Sequence, residues 1–178
     1  MSDSFRALGR KFRRVRRRSV EIALPKLELE GLVVAPDLLH ARSVVYSACP
    51  AVSAFDRALA DRFGCTVHSL EHTPRVQVSI ELPSEETSVV TRMHRSMRKL
   101  GHRHIDLLRL DVEGAEYEAI DAISRSALRP CQLLVDFHHH LPHWRVSQTE
   151  RALRQLSELG YRIFDRQPSG QVYSLALV

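Results

Sequence analysis

Short apolar runs, separated by segments with helical spacing, extend through most of this 178-residue chain. Runs of about four to eight apolar residues are typical of buried strands. Seven such runs are present: 43–47, 65–71, 76–82, 105–110, 131–138, 161–166 and 171–177. Four segments between them place apolar residues three and four positions apart, as in amphipathic helices: 53–64, 84–101, 113–125 and 146–159. Strands that alternate with helices predict an α/β protein built on a parallel sheet.

The last two apolar runs lie close together and are joined by a turn with the sequence QPSG. So short a connection can join antiparallel neighbours, whereas parallel strands need a crossover of about a dozen residues or more. The predicted fold is therefore a Rossmann-like, doubly wound sheet of about seven strands that ends in an antiparallel C-terminal hairpin.

The N-terminal segment 1–18 is strongly basic, with eight Lys or Arg residues and one Asp, a net charge of +7. Of the 26 basic and 21 acidic residues in the chain, 18 and 20 lie beyond it, so the rest is nearly neutral at −2. Apolar residues recur at helical spacing in this segment, which predicts an N-terminal amphipathic helix: Phe5, Leu8, Phe12 and Val15. We divide the chain into a basic arm, 1–24, and one domain, 25–178.

Two interpretations of this arm stay open. Its arginines could contact an acidic partner, RNA or an anionic membrane. Alternatively, its apolar face could pack on the protein's own domain while the arginines stay in solvent. We favour packing on the domain, because four apolar anchors are enough for docking.

The composition, 44% hydrophobic and 26% charged, is that of an ordinary globular protein. No run approaches the roughly 18 apolar residues of a membrane span, and the basic start lacks the apolar core of a secretory signal. Three widely spaced cysteines, Cys49, Cys65 and Cys131, predict reduced thiols and a cytoplasmic location. The preference for Arg over Lys is typical of a GC-rich bacterial genome.

The run IDLLRLDVEGAE changes from apolar to acidic without a break. Asp111 stands where the strand 105–110 should end, and in an open parallel sheet the ligand crevice lies at such strand ends. Glu113 and Glu116 are explained as acids in the first turn of the next helix, where negative charge suits the helix dipole. Gly114 permits a close turn. Asp111 is therefore the strongest candidate for a functional carboxylate, with an ordinary helix cap as its alternative.

A second strand end, LLVDFHHH, carries a carboxylate and histidines. Asp136, His138 and His140 would share one face if the strand stayed extended. If this strand is the neighbour of 105–110, Asp111, Glu113, Asp136 and His138 meet at one rim. A carboxylate and an imidazole could remove a proton from a substrate hydroxyl, or two histidines and a carboxylate could bind a metal. We favour proton transfer and assign no metal ligand, because a strand end rarely keeps the geometry that a metal needs.

Four segments resemble the FkbM-type methyltransferases: IDLLRLDVEGAEYEAI, GCTVHSLEHTP, QLLVDFHHH and LGYRIFDRQPSGQVYSLALV. The first is similar to the family's apolar strand followed by D-[VI]-E-G-x-E. The third is similar to its Q-L-L-[VI]-E-F-H segment, with Asp136 in the Glu position. Together the segments lie within residues 40–178. The resemblance implies S-adenosylmethionine as methyl donor and a hydroxyl of a small molecule or sugar as acceptor, and so small a domain could use a homodimer partner to close its site.

The resemblance also implies roles for individual residues. Glu71 would accept hydrogen bonds from the ribose hydroxyls of the cofactor. Asp111 and Glu113 would face the methionine end or the acceptor, and His138 would act as base or orient the acceptor. The remaining candidates would border the cofactor or the acceptor: Ser47, Cys49 and Ala51 on the cofactor side, and Asp136, His139 and His140 on the acceptor side.

The segment YSACPAVSAFD stands where these methyltransferases have a glycine-rich loop, and it contains no glycine. A positive φ would be costly at Cys49 or Ala51, and Pro50 removes a backbone donor. The chain is then either a working methyltransferase with a modified loop or a relative that lost cofactor binding and serves as a binding or scaffold module. Acids at three strand ends favour the enzyme. An RNA-binding protein ranks last, because the body has no aromatic RNA-binding strand.

Overall fold

The computed structural model describes residues 21–70 and 88–178. Its strands are β1 (Leu27–Leu29), β2 (Leu32–Val34), β3 (Val44–Ala48), β4 (Thr66–Ser69), β5 (Leu107–Leu110), β6 (Gln132–Asp136), β7 (Tyr161–Arg166) and β8 (Val172–Leu177). Its α-helices are α1 (Ala54–Phe63), α2 (Val89–Leu100), α3 (Glu116–Arg125) and α4 (Val146–Glu158), and a 3₁₀ turn covers Pro36–Leu38. The predicted alternation of strands and helices is confirmed in these ranges.

Six of the strands form one mixed sheet in the order β4-β3-β5-β6-β8-β7. The pairs β4/β3, β3/β5 and β5/β6 are parallel, whereas β6/β8 and β8/β7 are antiparallel. The mixed α/β class and the C-terminal antiparallel strand pair are therefore confirmed. The seventh predicted strand, 76–82, and the predicted helix in segment 1–18 lie outside the described residues.

Alternate residues of the central strands enter two separate apolar clusters, one on each side of the sheet. Leu108 packs in a cluster with Met93 of α2 and Ile120 of α3. Its neighbour Leu107 packs on the other side, in a cluster with Leu59 of α1. Full burial of a leucine side chain contributes about 1.5–3 kcal/mol. Because helices pack on both faces in this way, the sheet is a stable support for the side chains at its edge.

The helix ends follow local sequence signals. Ser53 accepts a hydrogen bond from the Asp56 N–H at 3.2 Å, and the Asp56 carboxylate accepts one from the Ser53 N–H at 3.0 Å, which caps α1. Gly64 ends α1 with a left-handed φ of 67°. Ser88 caps α2 through the Thr91 N–H at 3.1 Å. Two helix starts depart from the prediction, because α2 begins at Val89 rather than at residue 84 and α3 begins at Glu116 rather than at residue 113.

The hairpin of β1 and β2 was not predicted. It turns at Glu30 and Gly31, both with positive φ, and pairs Leu27 with Val34. Its three-residue strands are too short to show a period. Gln132 of β6 is 1% exposed and fastens this region to the sheet: its Oε1 accepts from the Ala35 N–H at 2.8 Å, and its Nε2 donates to the Ala35 carbonyl at 3.2 Å.

Among the described residues no helix is long and apolar enough to cross a membrane. The longest, α4, has 13 residues, whereas a span needs about 20. The three cysteines Cys49, Cys65 and Cys131 are free thiols, as predicted.

Candidate active site

The candidate site lies where β3, β5 and β6 end. Because these strands run parallel, their carboxyl ends meet at one edge of the sheet. From β3 the chain crosses to β4 on one side, while β5 lies on the other. Open α/β sheets bind ligands at such a change of direction. Asp111 follows β5 and Asp136 is the last residue of β6, so both lie at this edge.

A strained turn joins β5 to α3. Glu113 has a φ of 50° and Gly114 a φ of 105°, two consecutive residues in the left-handed region. A Cβ on Gly114 would overlap the indole nitrogen of Trp144, so only glycine fits there. Strain of this kind at a non-glycine residue costs about 1–3 kcal/mol and is typical of functional sites.

Glu113, predicted as a catalytic carboxylate, sits on this turn with an exposed side chain. It precedes α3 instead of lying in its first turn, so its interpretation as a first-turn acid was wrong. Within the described parts of the chain its carboxylate makes no hydrogen bond or ion pair. It is free to meet a ligand that approaches the strand ends.

Glu116 has a role that the sequence did not reveal. It lies in the first turn of α3, as predicted, but its side chain is fully buried. Its two carboxylate oxygens accept hydrogen bonds from the N–H groups of Val112 and Gly114, each at 2.9 Å. Oε1 also lies 2.8 Å from Nδ1 of His138. The carboxylate therefore fixes the β5–α3 turn and the imidazole at once.

His138 directs its other ring nitrogen, Nε2, toward Asp111, whose Oδ1 is 3.8 Å away. The hydrogen bond with Glu116 raises the pKa of His138 to about 9, against the opposing effect of burial, and the charges of Asp136 and Asp111 act in the same direction as Glu116. With only 13% of the side chain exposed and Nδ1 held by Glu116, the ring has a defined position.

Asp136 completes the group. Its side chain is half-buried, and within 21–70 and 88–178 its carboxylate has no hydrogen bond or ion pair. Burial raises the pKa of Asp136, and the charge of Asp111 raises it further. One ligand-type atom from each of Asp111, Asp136 and His138 lies within 4.8 Å of the others. We call these three residues the Asp111–Asp136–His138 cluster.

Arg109 forms an ion pair with Asp111, and it was not predicted as a site residue. It is 9% exposed and donates to the Asp111 carboxylate at 2.7 Å and to the Ser53 hydroxyl at 2.5 Å. It also lies 3.5 Å from Oδ1 of Asp56, a buried oxygen that makes no hydrogen bond. The guanidinium is 5.5 Å from the centre of the Phe55 ring. Arg109 thus joins Asp111 to the start of α1.

The glycine-free segment after β3 follows an ordinary backbone path. No residue from 49 to 53 has a positive φ, so the expected strain does not arise. Ser47 and Cys49 are buried and contact each other through Oγ and Sγ at 3.4 Å, and the thiol donates to the Ala51 carbonyl at 2.8 Å. Burial raises the pKa of Cys49, which keeps the thiol protonated at neutral pH. Ala51 is exposed.

The two histidines that follow His138, His139 and His140, are not part of the cluster. The strand β6 ends at Asp136, two residues earlier than predicted, so Asp136, His138 and His140 do not share one strand face. His139 turns to Thr149 of α4, with Nδ1 and Oγ1 3.2 Å apart. His140 is exposed and bonds Gln171 at 2.6 Å, although its ring centre lies 5.5 Å from that of His138.

Glu71, the predicted partner of the ribose hydroxyls, lies outside the described residues.

An α/β sheet with carboxylates and an imidazole gathered at its parallel strand ends is the arrangement that many α/β enzymes use for an active site. A family model described as the Methyltransferase FkbM domain matches residues 51–163, more than half of the 178 residues. The chain therefore belongs to the FkbM methyltransferase family, as its motifs predicted, and this membership indicates methyltransferase activity. Searches of curated proteins and of solved structures found no match to this chain.

We expect Glu116→Gln to lower the pKa of His138 from about 9 toward its ordinary value, because the hydrogen bond with Glu116 is the largest cause of the shift. The raised pKa stabilises the fold fully below about pH 6.5, and this contribution is lost as the pH rises through about 9. The variant's deficit in unfolding free energy should therefore be larger at pH 6 than at pH 10.

NMR titration of the imidazole, in protein dialysed against EDTA, measures this pKa, and urea unfolding at the two pH values measures the deficit. The matched control is Glu150→Gln, which changes an exposed glutamate of α4. If the pKa of His138 stays near 9 in Glu116→Gln, the charges of Asp136 and Asp111, and not Glu116, are what raise it.

Proposed function

We propose that this protein is an S-adenosylmethionine-dependent methyltransferase that methylates a hydroxyl group of a small molecule or sugar. The observation that supports this most is the Asp111–Asp136–His138 cluster at the carboxyl ends of β5 and β6, with its imidazole held by a buried carboxylate. Family membership supplies the transferase class. In this proposal the sheet is a Rossmann-like sheet, and its ends of β3 and β4 receive the cofactor.

On the cofactor side, we assign contacts to the segment after β3, to Asp111 and to Glu71. Ser47 and Cys49 have buried side chains that bond each other, so this segment would meet the cofactor through its backbone and the exposed Ala51. Glu71 would accept two hydrogen bonds from vicinal ribose hydroxyls, which a carboxylate does well. Asp111 would lie toward the methionine end.

On the acceptor side, the hydroxyl oxygen attacks the methyl carbon of the donor. The new O–C bond forms as the S–C bond breaks, and the products are a methyl ether, S-adenosylhomocysteine and a proton. That proton has to leave the hydroxyl, and a positioned group that accepts it contributes about 10²–10⁴-fold to the rate. We assign its removal to the cluster, and we place the acceptor against Asp136, His139 and His140 and the exposed Glu113.

Calorimetric titration with S-adenosylmethionine and with S-adenosylhomocysteine tests the proposal. We expect binding of both, and we expect Glu71→Ala to weaken it by about 1.5–3 kcal/mol, tenfold to a little over a hundredfold, through loss of a charged hydrogen-bond acceptor. The control is Glu158→Ala, which removes an exposed glutamate at the end of α4. Absence of heat at millimolar ligand would contradict the proposal and favour a scaffold that has lost its cofactor.

A further inference from the structure

We propose that Asp111, Asp136 and His138 form a binding site for a divalent cation, which would also hold the oxygen that accepts the methyl group. Its chemical role rests on the proposed function, whereas the site itself rests on the geometry of these three side chains. Asp111 follows β5 directly, Asp136 ends the neighbouring parallel strand β6, and His138 lies two residues beyond it, so the sheet sets the positions from which they project.

The distances suit one ion with little movement. Atoms that bind the same ion at about 2.2 Å lie about 3 Å apart when adjacent and about 4.4 Å apart when opposite. The ligand-type atoms of the cluster all lie within 4.8 Å of one another, and Nε2 of His138 is 3.8 Å from Oδ1 of Asp111. Small side-chain rotations would therefore bring all three to coordination distance.

Glu116 prepares His138 for this role. Metal-binding histidines commonly donate the N–H of their second ring nitrogen to a carboxylate, which fixes the tautomer and the ring orientation. Nδ1 of His138 lies 2.8 Å from Oε1 of Glu116, and that carboxylate is itself anchored by two backbone N–H groups. When Nδ1 alone carries a proton, the lone pair of Nε2 faces Asp111, so a cation that binds there displaces the proton of Nε2.

The charges at this edge favour a cation. Arg109 is shared between Asp111 and Asp56, and Asp136 has no ion pair in the described residues. The Glu116 carboxylate, 2.8 Å from Nδ1 of His138, adds a further negative charge at this edge. Buried or half-buried carboxylates need compensation, and one divalent cation between Asp111 and Asp136 would supply it.

The ligand chemistry identifies the class of ion. Carboxylate oxygens suit Mg²⁺ and Mn²⁺, imidazole nitrogen also suits later transition metals, and no thiolate is present because the Cys49 thiol bonds the Ala51 carbonyl. Mn²⁺ accepts both oxygen and imidazole ligands. Three protein ligands leave three positions of an octahedron open, enough for two neighbouring hydroxyls of an acceptor and one water. We therefore infer a vicinal diol, such as a sugar offers, as the acceptor class.

A bound cation would lower the pKa of the hydroxyl that it coordinates and so make the oxygen a better nucleophile. The hydroxyl proton would pass to a carboxylate oxygen of the cluster that does not bind the ion. Oxygen–carbon bond formation and sulfur–carbon bond breakage then proceed as above, without any change in the oxidation state of the ion.

Titration of EDTA-dialysed protein with Mn²⁺, followed by the EPR signal of the free ion, tests the site without substrate. We expect one site per chain. Asp136→Asn and His138→Gln should each weaken it at least tenfold, and Glu116→Gln, which touches no ion, should weaken it about 10–100-fold. The control is His40→Gln, since this exposed imidazole precedes β3 and so lies at the opposite ends of the strands from the cluster, and we expect wild-type affinity.

Absence of Mn²⁺ binding, or equal binding by the wild type and all four variants, would overturn the proposal. Far-ultraviolet circular dichroism and melting temperatures show which variants fold, and two independent ligand variants keep the test valid if one of them does not. S-adenosylmethionine binding without Mn²⁺ binding would overturn the cation site alone. Mn²⁺ binding without cofactor binding would leave the site standing and overturn the transferase.

Discussion

Replacement of Arg109 by methionine is expected to lower the free energy of unfolding by about 3–5 kcal/mol, the usual result of removing one partner from a buried ion pair. Asp56 is 3% exposed and its Oδ1 makes no hydrogen bond, so the guanidinium 3.5 Å away is its compensation. Asp111 loses a donor at 2.7 Å in the same variant. Methionine keeps much of the length of the side chain, so the lost charge accounts for most of the effect.

Urea unfolding measures this change, with Arg125→Met as the control because that arginine of α3 is exposed. A double variant, Asp56→Asn with Arg109→Met, should recover part of the loss, since residues in direct contact couple. If the unfolding free energy of Arg109→Met falls by less than about 1 kcal/mol, the charges of Asp56 and Asp111 are balanced by other groups, or these carboxylates become protonated in the variant.

The elements that the sequence predicted well are those with a strong apolar period. β5 and β6 are nearly continuous apolar runs, and α1 has a capping Ser53 and a terminal Gly64, so their existence followed from local chemistry. The hairpin β1–β2 was missed because each strand has three residues. Its two-residue turn, with left-handed residues at Glu30 and Gly31, was the available signal.

The candidate site was predictable where it depended on strand ends. Parallel neighbours bring their carboxyl ends together, so Asp111, Asp136 and His138 could be grouped from the sequence, and the structure brings these three within 4.8 Å. His139 and His140 could not be placed, because the side-chain directions depend on where β6 ends and how the chain turns afterwards.

Glu116 and Arg109 show what local patterns leave out. A glutamate in a first helical turn usually faces solvent, and only the tight β5–α3 turn directs Glu116 inward to Val112 and Gly114. Arg109 carried a usable signal: a charge within an apolar strand, two residues before Asp111 and therefore on its face. The partner on α1, Asp56, is 53 positions away and follows only from the assembled sheet.

Asp111→Asn is expected to lower kcat/KM for methyl transfer by about 10²–10⁴-fold while leaving the fold intact. Asparagine has the same shape and keeps one oxygen that can accept from Arg109, so the unfolding free energy should change by no more than about 1 kcal/mol. What it loses is negative charge, next to Nε2 of His138 at 3.8 Å and at the edge where we place the donor and the acceptor. The variant should therefore lose methyl-transfer activity and keep its stability.

Transfer of labelled methyl from S-adenosylmethionine to glycosides and other vicinal diols measures this effect, first in the wild type and then in the variant. Asp61→Asn, a change at an exposed aspartate of α1, is the control and should keep full activity. Unchanged turnover in Asp111→Asn would remove Asp111 from the reaction and leave it a structural partner of Arg109. Reduced cofactor affinity with unchanged turnover would instead assign Asp111 to the donor alone, so the division of the loss between kcat and KM decides which side of the cluster faces the acceptor.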